Sequence, residues 1–257
     1  MPTNLSDLLM PIAIGIIMFG IGINLSFKDF LRVFLRPKAI IVGLVCQLGL
    51  LPLVAFGLVS LWEMDPIYKV GFIIIAASPG GTASGLVTHL LKGRVALCVS
   101  LAAFNSIIIV FTIPLLVNLA LGAFTGKDTQ IELSFMDTFG DILFSVILPV
   151  IGGILVNHYT PAGFTEQFKK PLRYIMPGLL VAVMALAIFA GETNQTSALF
   201  DNLQLAFPLL VLNLLTMALG YYVSRWLGLA HESNFTISIE VGLQNSALAI
   251  FIASNIL

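Results

Sequence analysis

Charge is what this sequence has least of. Only 10% of its 257 residues are charged and 58% are hydrophobic, whereas a soluble domain usually carries about 25% charged residues to cover its surface. This shortage excludes an ordinary soluble enzyme and a disordered chain. Twelve Lys and Arg against 13 Asp and Glu leave no basic excess, which excludes a protein that attracts nucleic acid. A polytopic membrane protein remains.

Cysteine and histidine are scarce as well. The two cysteines, Cys46 and Cys98, lie in apolar runs, so we expect no disulfide framework and interpret both as small packing residues. The three histidines lack the spacing of a zinc site on one helix. The sequence also lacks paired catalytic acids, a phosphate-binding loop and a nucleophile motif, so we predict that the protein is not an enzyme.

Long apolar runs fill most of the chain. About 20 apolar residues in helical conformation cross a bilayer, and eight segments qualify, at roughly 8–25, 39–61, 70–91, 95–123, 136–156, 172–190, 203–227 and 235–257. The links between them are short. We therefore predict an all-α polytopic membrane protein in which residues 1–257 form a single transmembrane unit of about eight spans.

The basic residues predict the orientation of these spans. If the N-terminus lies outside, only Lys69 and Lys127 of the 12 basic residues fall on the outer side. Lys and Arg are enriched in loops on the cytoplasmic side of membranes. The opposite orientation would place the other ten outside, so we predict an outside N-terminus.

The third span contains a helix-breaking segment near its centre. Pro79 lacks a backbone donor, and Gly80 and Gly81 follow it directly. Within a bilayer, backbone groups released by a break must be satisfied by protein, water or ions. A break here would therefore be buried against other helices or line a cavity, and a simple kinked helix is the alternative.

The eighth span carries Glu240, the one acidic residue in the middle of any predicted span. A carboxylate there costs roughly 2.5–3.5 kcal/mol on insertion scales. No predicted span has a central Lys or Arg, so its partner must be a proton, a cation or hydrogen-bond donors. Gln244 shares the face of Glu240 if the helix continues, whereas a break after Gly242 would free the carbonyls of Val241 and Leu243. Such oxygen atoms suit a hard cation such as Na⁺.

The order of the spans indicates an inverted repeat. Each irregular span follows two plain spans, and the two lie five spans apart, so the two repeats, approximately 6–123 and 136–257, face opposite ways. Transporters build midplane sites from discontinuous helices in such repeats. The counterpart of the fourth span is missing after the eighth, so we expect the sequence to be truncated or to function without that helix.

At both irregular spans the sequence resembles the bile acid:sodium symporter family. The resemblance lies in the segments Pro-Gly-Gly-Thr-Ala-Ser at 79–84 and Ile-Glu-Val-Gly-Leu-Gln-Asn-Ser at 239–246, and it extends from Gly20 to Gln47. It implies a bacterial-type homologue without the last helix, located in the inner (plasma) membrane. It also implies a panel domain packed against a core domain, with the third and eighth spans as two crossing discontinuous helices.

The resemblance further implies sodium-coupled secondary active uptake of a small amphipathic organic anion by alternating access. Na⁺ would be the coupled ion, the bilayer would be the surroundings, and no obligatory protein partner is evident. Two alternatives stay open. Glu240 could bind a proton instead of Na⁺, or the chain could be a non-transporting receptor module. Stimulation by Na⁺ at constant pH would separate the first alternative from sodium coupling.

The family's functional residues carry over by resemblance only. Its second sodium site falls on Gln47, Glu240, Val241, Leu243 and Gln244. Its substrate-facing residues fall on Thr82 and Asn245, beside Pro79, Gly80 and Gly81.

The family's first sodium site is incomplete in this chain. Ser84 is retained beside Glu240, whereas hydroxyl positions of the family hold Cys98 and Ala102 here. Ser100 or Asn105 are alternative ligands. One sodium ion rather than two is therefore expected, and with a monoanion it would move no net charge, so the voltage dependence should be weak.

Overall fold

The structure is a computed structural model, and it describes residues 5–28, 37–125, 135–161 and 203–256, with single residues at 31, 167, 171, 172, 175, 178 and 179. Helices make up the regular structure of these residues, and no strand longer than one isolated bridge occurs among them. The all-α prediction is confirmed. The sixth predicted span, 172–190, lies almost wholly outside the described residues.

The helices follow the predicted spans closely. Their bounds are α1 Leu5–Asn24, α2 Pro37–Val45, α3 Leu51–Leu61, α4 Pro66–Ala77, α5 Thr82–Leu90, α6 Val95–Phe124, α7 Phe135–Ile142, α8 Leu148–Tyr159, α9 Ala206–Trp226, α10 His231–Gly242 and α11 Ser246–Ile256. One π-helical turn, Cys46–Leu50, joins α2 to α3, and another, Leu143–Ile147, joins α7 to α8. A short 3₁₀ turn, Leu203–Leu205, precedes α9.

Three of the described helical stretches are long and apolar enough to cross a membrane. They are Pro37–Leu61, Val95–Phe124 and Leu203–Trp226. Shorter apolar helices include Gly15–Asn24, Pro66–Ala77 and Leu143–Tyr159. The third and eighth predicted spans do not form single long helices because each is interrupted near its centre.

The chain forms two compact units. The first contains residues 1–27 and 140–207, and the second contains 28–139 and 208–257. In the first unit α1 packs along α8. A Cβ atom at Gly22 would overlap the Val150 carbonyl, and one at Gly153 would overlap the Phe19 carbonyl. The two helix backbones therefore touch directly, which only glycine permits.

The second unit contains both interrupted spans. In the first of them, α4 begins at Pro66 with the side chain of Asp65 accepting a hydrogen bond from the Ile67 amide at 2.8 Å. It ends at Ala77, and α5 starts only at Thr82. In the second span α10 ends at Gly242 and α11 starts at Ser246. The prediction of two discontinuous helices is confirmed, and the alternative of a simple kink is wrong.

Candidate functional site

The two interruptions cross and satisfy each other's backbone. The Gly81 amide donates to the Leu243 carbonyl at 2.6 Å, and the Asn245 amide donates to the Pro79 carbonyl at 2.8 Å. These bonds flank an antiparallel pairing of Gly80 with Gln244. Each break thus provides the partners that the other lost when its helix ended, as burial in a bilayer requires.

Four helix ends converge on this crossing. The helices α4 and α10 end at the crossing, and the helices α5 and α11 begin there. Asn245 caps α11, because its Oδ1 accepts from the Leu248 amide at 3.2 Å. Thr82, the other predicted substrate-facing residue, begins α5, but its side chain lies outside the described residues.

Glycine is required at the crossing because two backbones and a carboxyl group approach closely. A Cβ atom at Gly80 would overlap the carboxyl group of Glu240. A Cβ atom at Gly81 would lie 2.8 Å from the Gln244 carbonyl oxygen. Gly80, which is predicted to face the substrate, therefore lies in direct contact with the Glu240 carboxyl group. Pro79 is buried next to it.

Glu240 is buried at the centre of this arrangement, with 1% of its surface exposed. Its Oε2 accepts a hydrogen bond from the Cys98 thiol at 3.0 Å. Its Oε1 has no hydrogen-bond partner within the described part of the chain. Ser84 joins the same cluster, since its Oγ lies 3.4 Å from Cys98 Sγ and donates to the Gly81 carbonyl at 2.8 Å.

Gln47 reaches the same break from another helix. It lies in the π-helical turn Cys46–Leu50, which precedes Pro52. The side chain is 3% exposed, and its Nε2 donates to the Ser78 carbonyl at 3.1 Å. Its Oε1 has no partner among the described residues. Gln47 and Glu240 thus contact one four-residue segment, at Ser78 and at Gly80.

The carbonyls of Val241 and Leu243 leave the helical hydrogen-bond ladder as predicted, but each finds another donor. The Val241 carbonyl accepts from Gln244 Nε2, and the Leu243 carbonyl accepts from the Gly81 amide. A carbonyl oxygen has two lone pairs, so both atoms keep one for a further contact. The crossing therefore orders these two oxygens rather than leaving them unbound.

The two alternative ligands from the fourth predicted span do not meet Glu240 in the described contacts. Ser100 is fully buried and donates to the Ala96 carbonyl at 2.8 Å. Asn105 is 2% exposed, and its Oδ1 has no partner within the residues that the structure describes. Its position two helical turns beyond Cys98 separates it from the carboxyl group.

Cys98 is the residue that sequence reasoning missed. It is buried, with 2% exposed, as a packing residue should be, but its thiol also donates to the carboxyl group of Glu240. The available signal was its place at a position where the resembling family carries a hydroxyl. Ser78 was missed as well, and its contact with Gln47 depends on a backbone carbonyl that no side-chain pattern reveals.

The arrangement is suited to binding a cation through oxygen atoms. Glu240 Oε1 and Gln47 Oε1 are buried acceptors with no donor in the described regions, and burying such atoms without a partner is costly. Hard monovalent and divalent cations prefer carboxylate, amide and carbonyl oxygens. The residues present therefore fit Na⁺, while the thiol of Cys98 is an unusual neighbour for it.

Comparison with known families gives one match that covers most of the chain. Residues 11–199 match the family model described as the Sodium Bile acid symporter family. This range contains the first break of the crossing and ends before the second.

Relatives from three kinds of organism are similar over nearly the whole chain. The "Probable sodium/metabolite cotransporter BASS1, chloroplastic" of Oryza sativa subsp. japonica is 33% identical over 246 residues, which cover 95% of this chain and 57% of the rice protein. The "Uncharacterized sodium-dependent transporter YocS" of Bacillus subtilis is 30% identical over 95% of this chain and 73% of that protein. The "Ileal sodium/bile acid cotransporter" of Homo sapiens is 27% identical over 93% of this chain and 67% of that protein. The chain thus spans a little over half the length of the plant relatives it matches.

Proposed function

Because the chain belongs to the Sodium Bile acid symporter family, we propose that it couples the movement of Na⁺ to that of a small amphipathic organic anion across a membrane. The names of its relatives describe sodium-dependent transporters and cotransporters. The family identity agrees with the prediction of a membrane transporter rather than an enzyme.

The observation that carries the proposal is the unpartnered Oε1 of Glu240. A central carboxylate costs at least roughly 2.5–3.5 kcal/mol in a bilayer, and the Cys98 thiol contacts only its other oxygen. A bound Na⁺ would supply the missing positive charge. Gln47 Oε1 is the second buried oxygen without a donor in the described regions, so both atoms would serve as ligands.

The backbone carbonyls complete the proposed sodium site. The oxygens of Val241 and Leu243 each accept one hydrogen bond and keep a second lone pair. Gln244 contributes by holding the Val241 carbonyl in place. The C-terminal ends of α4 and α10 add partial negative charge at the crossing, which favours a cation.

The opposite helix ends favour an anion. The N-terminal ends of α5 and α11 carry partial positive charge and begin at Thr82 and Ser246. We place the acidic group of the substrate near Thr82 and Asn245 for this reason. The amphipathic character of the substrate is proposed from the family, whose relatives include an "Ileal sodium/bile acid cotransporter".

Sodium would affect the substrate through the crossing itself. Gln47 contacts the first break at Ser78, and Glu240 lies on Gly80 in the same break. An ion bound to both side chains would stabilise the conformation in which the two helix N-termini are ordered. A ligand that binds one conformation more tightly shifts the population towards it, and alternating access would then follow from release of both ligands on the other side.

One sodium ion per cycle is the stoichiometry that the cluster supports. The Cys98 thiol donates to Glu240 Oε2, and its sulfur is a poor ligand for Na⁺, so a second sodium site beside this oxygen would lack a hard ligand. Ser84, whose Oγ donates to the Gly81 carbonyl, keeps its lone pairs for a cation, but by itself it does not complete a second sodium site. One Na⁺ with a monoanion moves no net charge, so uptake would respond little to membrane potential.

The proposed location is a bacterial inner membrane with the N-terminus outside. Two observations in the second unit show that basic segments predicted to lie on the inner side are close to one another. Arg94 lies 3.6 Å from Glu232, and its amide donates to Thr236 Oγ1 at 2.8 Å. Lys38 Nζ lies near Gly228. Three predicted inner segments therefore share one end of this unit.

The proposal is tested by transport into liposomes that contain the purified chain. A radiolabelled bile acid and a set of other amphipathic carboxylates are offered with an inward gradient of Na⁺ or of K⁺, at equal pH on both sides. Uptake driven by Na⁺ and absent in Glu240→Gln is the expected result. Glu232→Gln is the matched control, because Glu232 lies on the same helix but faces Arg94 at the surface. Equal uptake in Na⁺ and K⁺ would contradict sodium coupling, and uptake that follows an imposed pH gradient instead would favour a proton.

A further inference from the structure

Cys98 gives the Glu240 cluster a sulfur ligand that Na⁺ does not prefer. Its sulfur lies 3.0 Å from Glu240 Oε2 and 3.4 Å from Ser84 Oγ. The fully buried hydroxyl of Thr88 lies beside the same sulfur. Sulfur is a soft ligand that selects thiophilic metals over hard ones.

The cluster also has unused binding capacity. Neither Glu240 Oε1 nor Thr88 Oγ1 has a hydrogen-bond partner in the regions that the structure describes. Both residues are almost completely buried, with 1% and 0% exposed. Cys46 is equally buried, but no side-chain hydrogen bond of its thiol occurs among the described contacts.

We propose that Cys98 and Glu240 form an inhibitory metal site, which binds a thiophilic divalent cation in competition with Na⁺. The oxygens of Ser84 and Thr88 would be its neutral ligands. The competition rests on the proposed function, because it assumes that Na⁺ uses Glu240. Binding of the metal does not depend on that assumption.

Charge balance favours this occupant. When the cation binds, the sulfur–hydrogen bond of Cys98 breaks, a metal–sulfur bond forms and the proton leaves to solvent. The thiolate and the carboxylate together then carry two negative charges, which a divalent cation neutralises. A neutral buried cluster costs far less than one with net charge.

The geometry needs only a small adjustment. At zinc-like bond lengths and a tetrahedral angle, sulfur and oxygen ligands lie about 3.6 Å apart, compared with 3.0 Å between Cys98 Sγ and Glu240 Oε2. Small rotations of the two side chains provide the difference. Because no group of three His, Cys, Asp or Glu residues converges in the described residues, the site suits a transient inhibitor rather than a resident metal.

Cadmium is the probe, because cadmium–thiolate bonds absorb in the ultraviolet. The full chain in detergent is titrated with Cd²⁺ in K⁺ and then with increasing Na⁺. We expect the absorption band in the unmodified chain and in Cys46→Ser, and its loss in Cys98→Ser. Glu240→Gln should weaken Cd²⁺ binding by at least about tenfold, and Na⁺ but not K⁺ should raise the apparent dissociation constant for Cd²⁺.

Several results would overturn the proposal. They are a band that persists in Cys98→Ser, a band lost in Cys46→Ser, or Cd²⁺ affinity unchanged in Glu240→Gln. The titration of the unmodified chain needs no substitution, and Cys98→Ala replaces Cys98→Ser if the latter does not elute as a single folded species.

The two proposals fail in distinguishable ways. If Cd²⁺ binds through Cys98 and Glu240 but Na⁺ does not displace it, the result supports the metal site and contradicts a sodium site at Glu240. If Na⁺ stabilises the chain through Glu240 while Cd²⁺ binding is unchanged in Cys98→Ser, the result contradicts the metal site and supports the proposed function.

Discussion

A close contact between two backbones occurs in each unit of the molecule, at Gly22 and Gly153 in the first and at Gly80 and Gly81 in the second, and the two contacts differ in their surroundings. In the first unit α1 and α8 stay intact and meet at Gly22 and Gly153. In the second unit both helices break and meet at Gly80 and Gln244. Glycine allows the close approach in both. In the second contact the breaks release the Val241 and Leu243 carbonyls from the helical ladder, and both belong to the proposed sodium site.

The polar groups at the two contacts differ in the same way. In the first unit Asn157 Nδ2 donates to the Leu25 carbonyl at 2.7 Å. This hydrogen bond holds the residue that follows the end of α1. In the second unit Glu240 and Gln47 keep buried oxygens without donors in the described regions. These two buried oxygens without donors are the atoms at which we propose that an ion binds.

The largest expected effect comes from Gly80→Ala. The new methyl group would overlap the Glu240 carboxyl group and displace it from the proposed ligand position. We expect Na⁺ affinity to fall about 100-fold, equivalent to about 2.7 kcal/mol, as measured by Na⁺-dependent thermal stability. Gly85→Ala is the control, since nothing lies within 4 Å of its Cβ position. Equal Na⁺ affinity in both variants would show that the Glu240 position is not critical.

Gly153→Ala should lower the stability of the chain without changing its affinity for Na⁺. Its methyl group would overlap the Phe19 carbonyl and lie 2.6 Å from the Ile23 amide nitrogen. Overpacking of this kind costs about 1–3 kcal/mol of stability, measured as a lower melting temperature, with Na⁺ affinity unchanged. Gly152→Ala should be tolerated, because its Cβ would make ordinary contacts of 3.6 Å with the Phe19 ring. A large loss of Na⁺ affinity in Gly153→Ala would remove the distinction between the two contacts.

Gln47→Ala tests whether the second unpartnered oxygen matters. The substitution removes the proposed Oε1 ligand and the hydrogen bond to Ser78. We expect Na⁺ affinity to fall about tenfold, corresponding to about 1.4 kcal/mol. If only the melting temperature falls and the Na⁺ titration is unchanged, Gln47 holds the break without binding the ion.

Asn157→Ala should have the smallest effect. It removes one completed hydrogen bond to the Leu25 carbonyl in the first unit, which is worth about 1 kcal/mol. Urea or thermal unfolding in the same detergent measures this loss. Transport and Na⁺ affinity should match those of the unmodified chain, and a specific loss of Na⁺ binding would contradict the structural assignment.

Within the described residues the sequence predicted the helices and both breaks well, because long apolar runs and the residues around Pro79 and Gly242 have strong local preferences. It also singled out Glu240 as a candidate, since an acid within an apolar span needs a partner, and Glu240 is buried at the crossing. It did not predict that Gly81 would donate to the Leu243 carbonyl or that Cys98 would donate to Glu240. These contacts join residues more than 140 positions apart, and they depend on how the spans pack rather than on any local pattern.

The most direct test of the account is a titration of Na⁺ against K⁺ at fixed ionic strength, with thermal stability of the chain as the readout. A ligand that binds only the folded state raises stability by about 2.7 kcal/mol at one hundred times its dissociation constant. We predict a rise that is specific for Na⁺, retained in Glu232→Gln and absent in Glu240→Gln. Stability that does not distinguish Na⁺ from K⁺, or a Na⁺ effect that survives in Glu240→Gln, would contradict a sodium site at this carboxyl group.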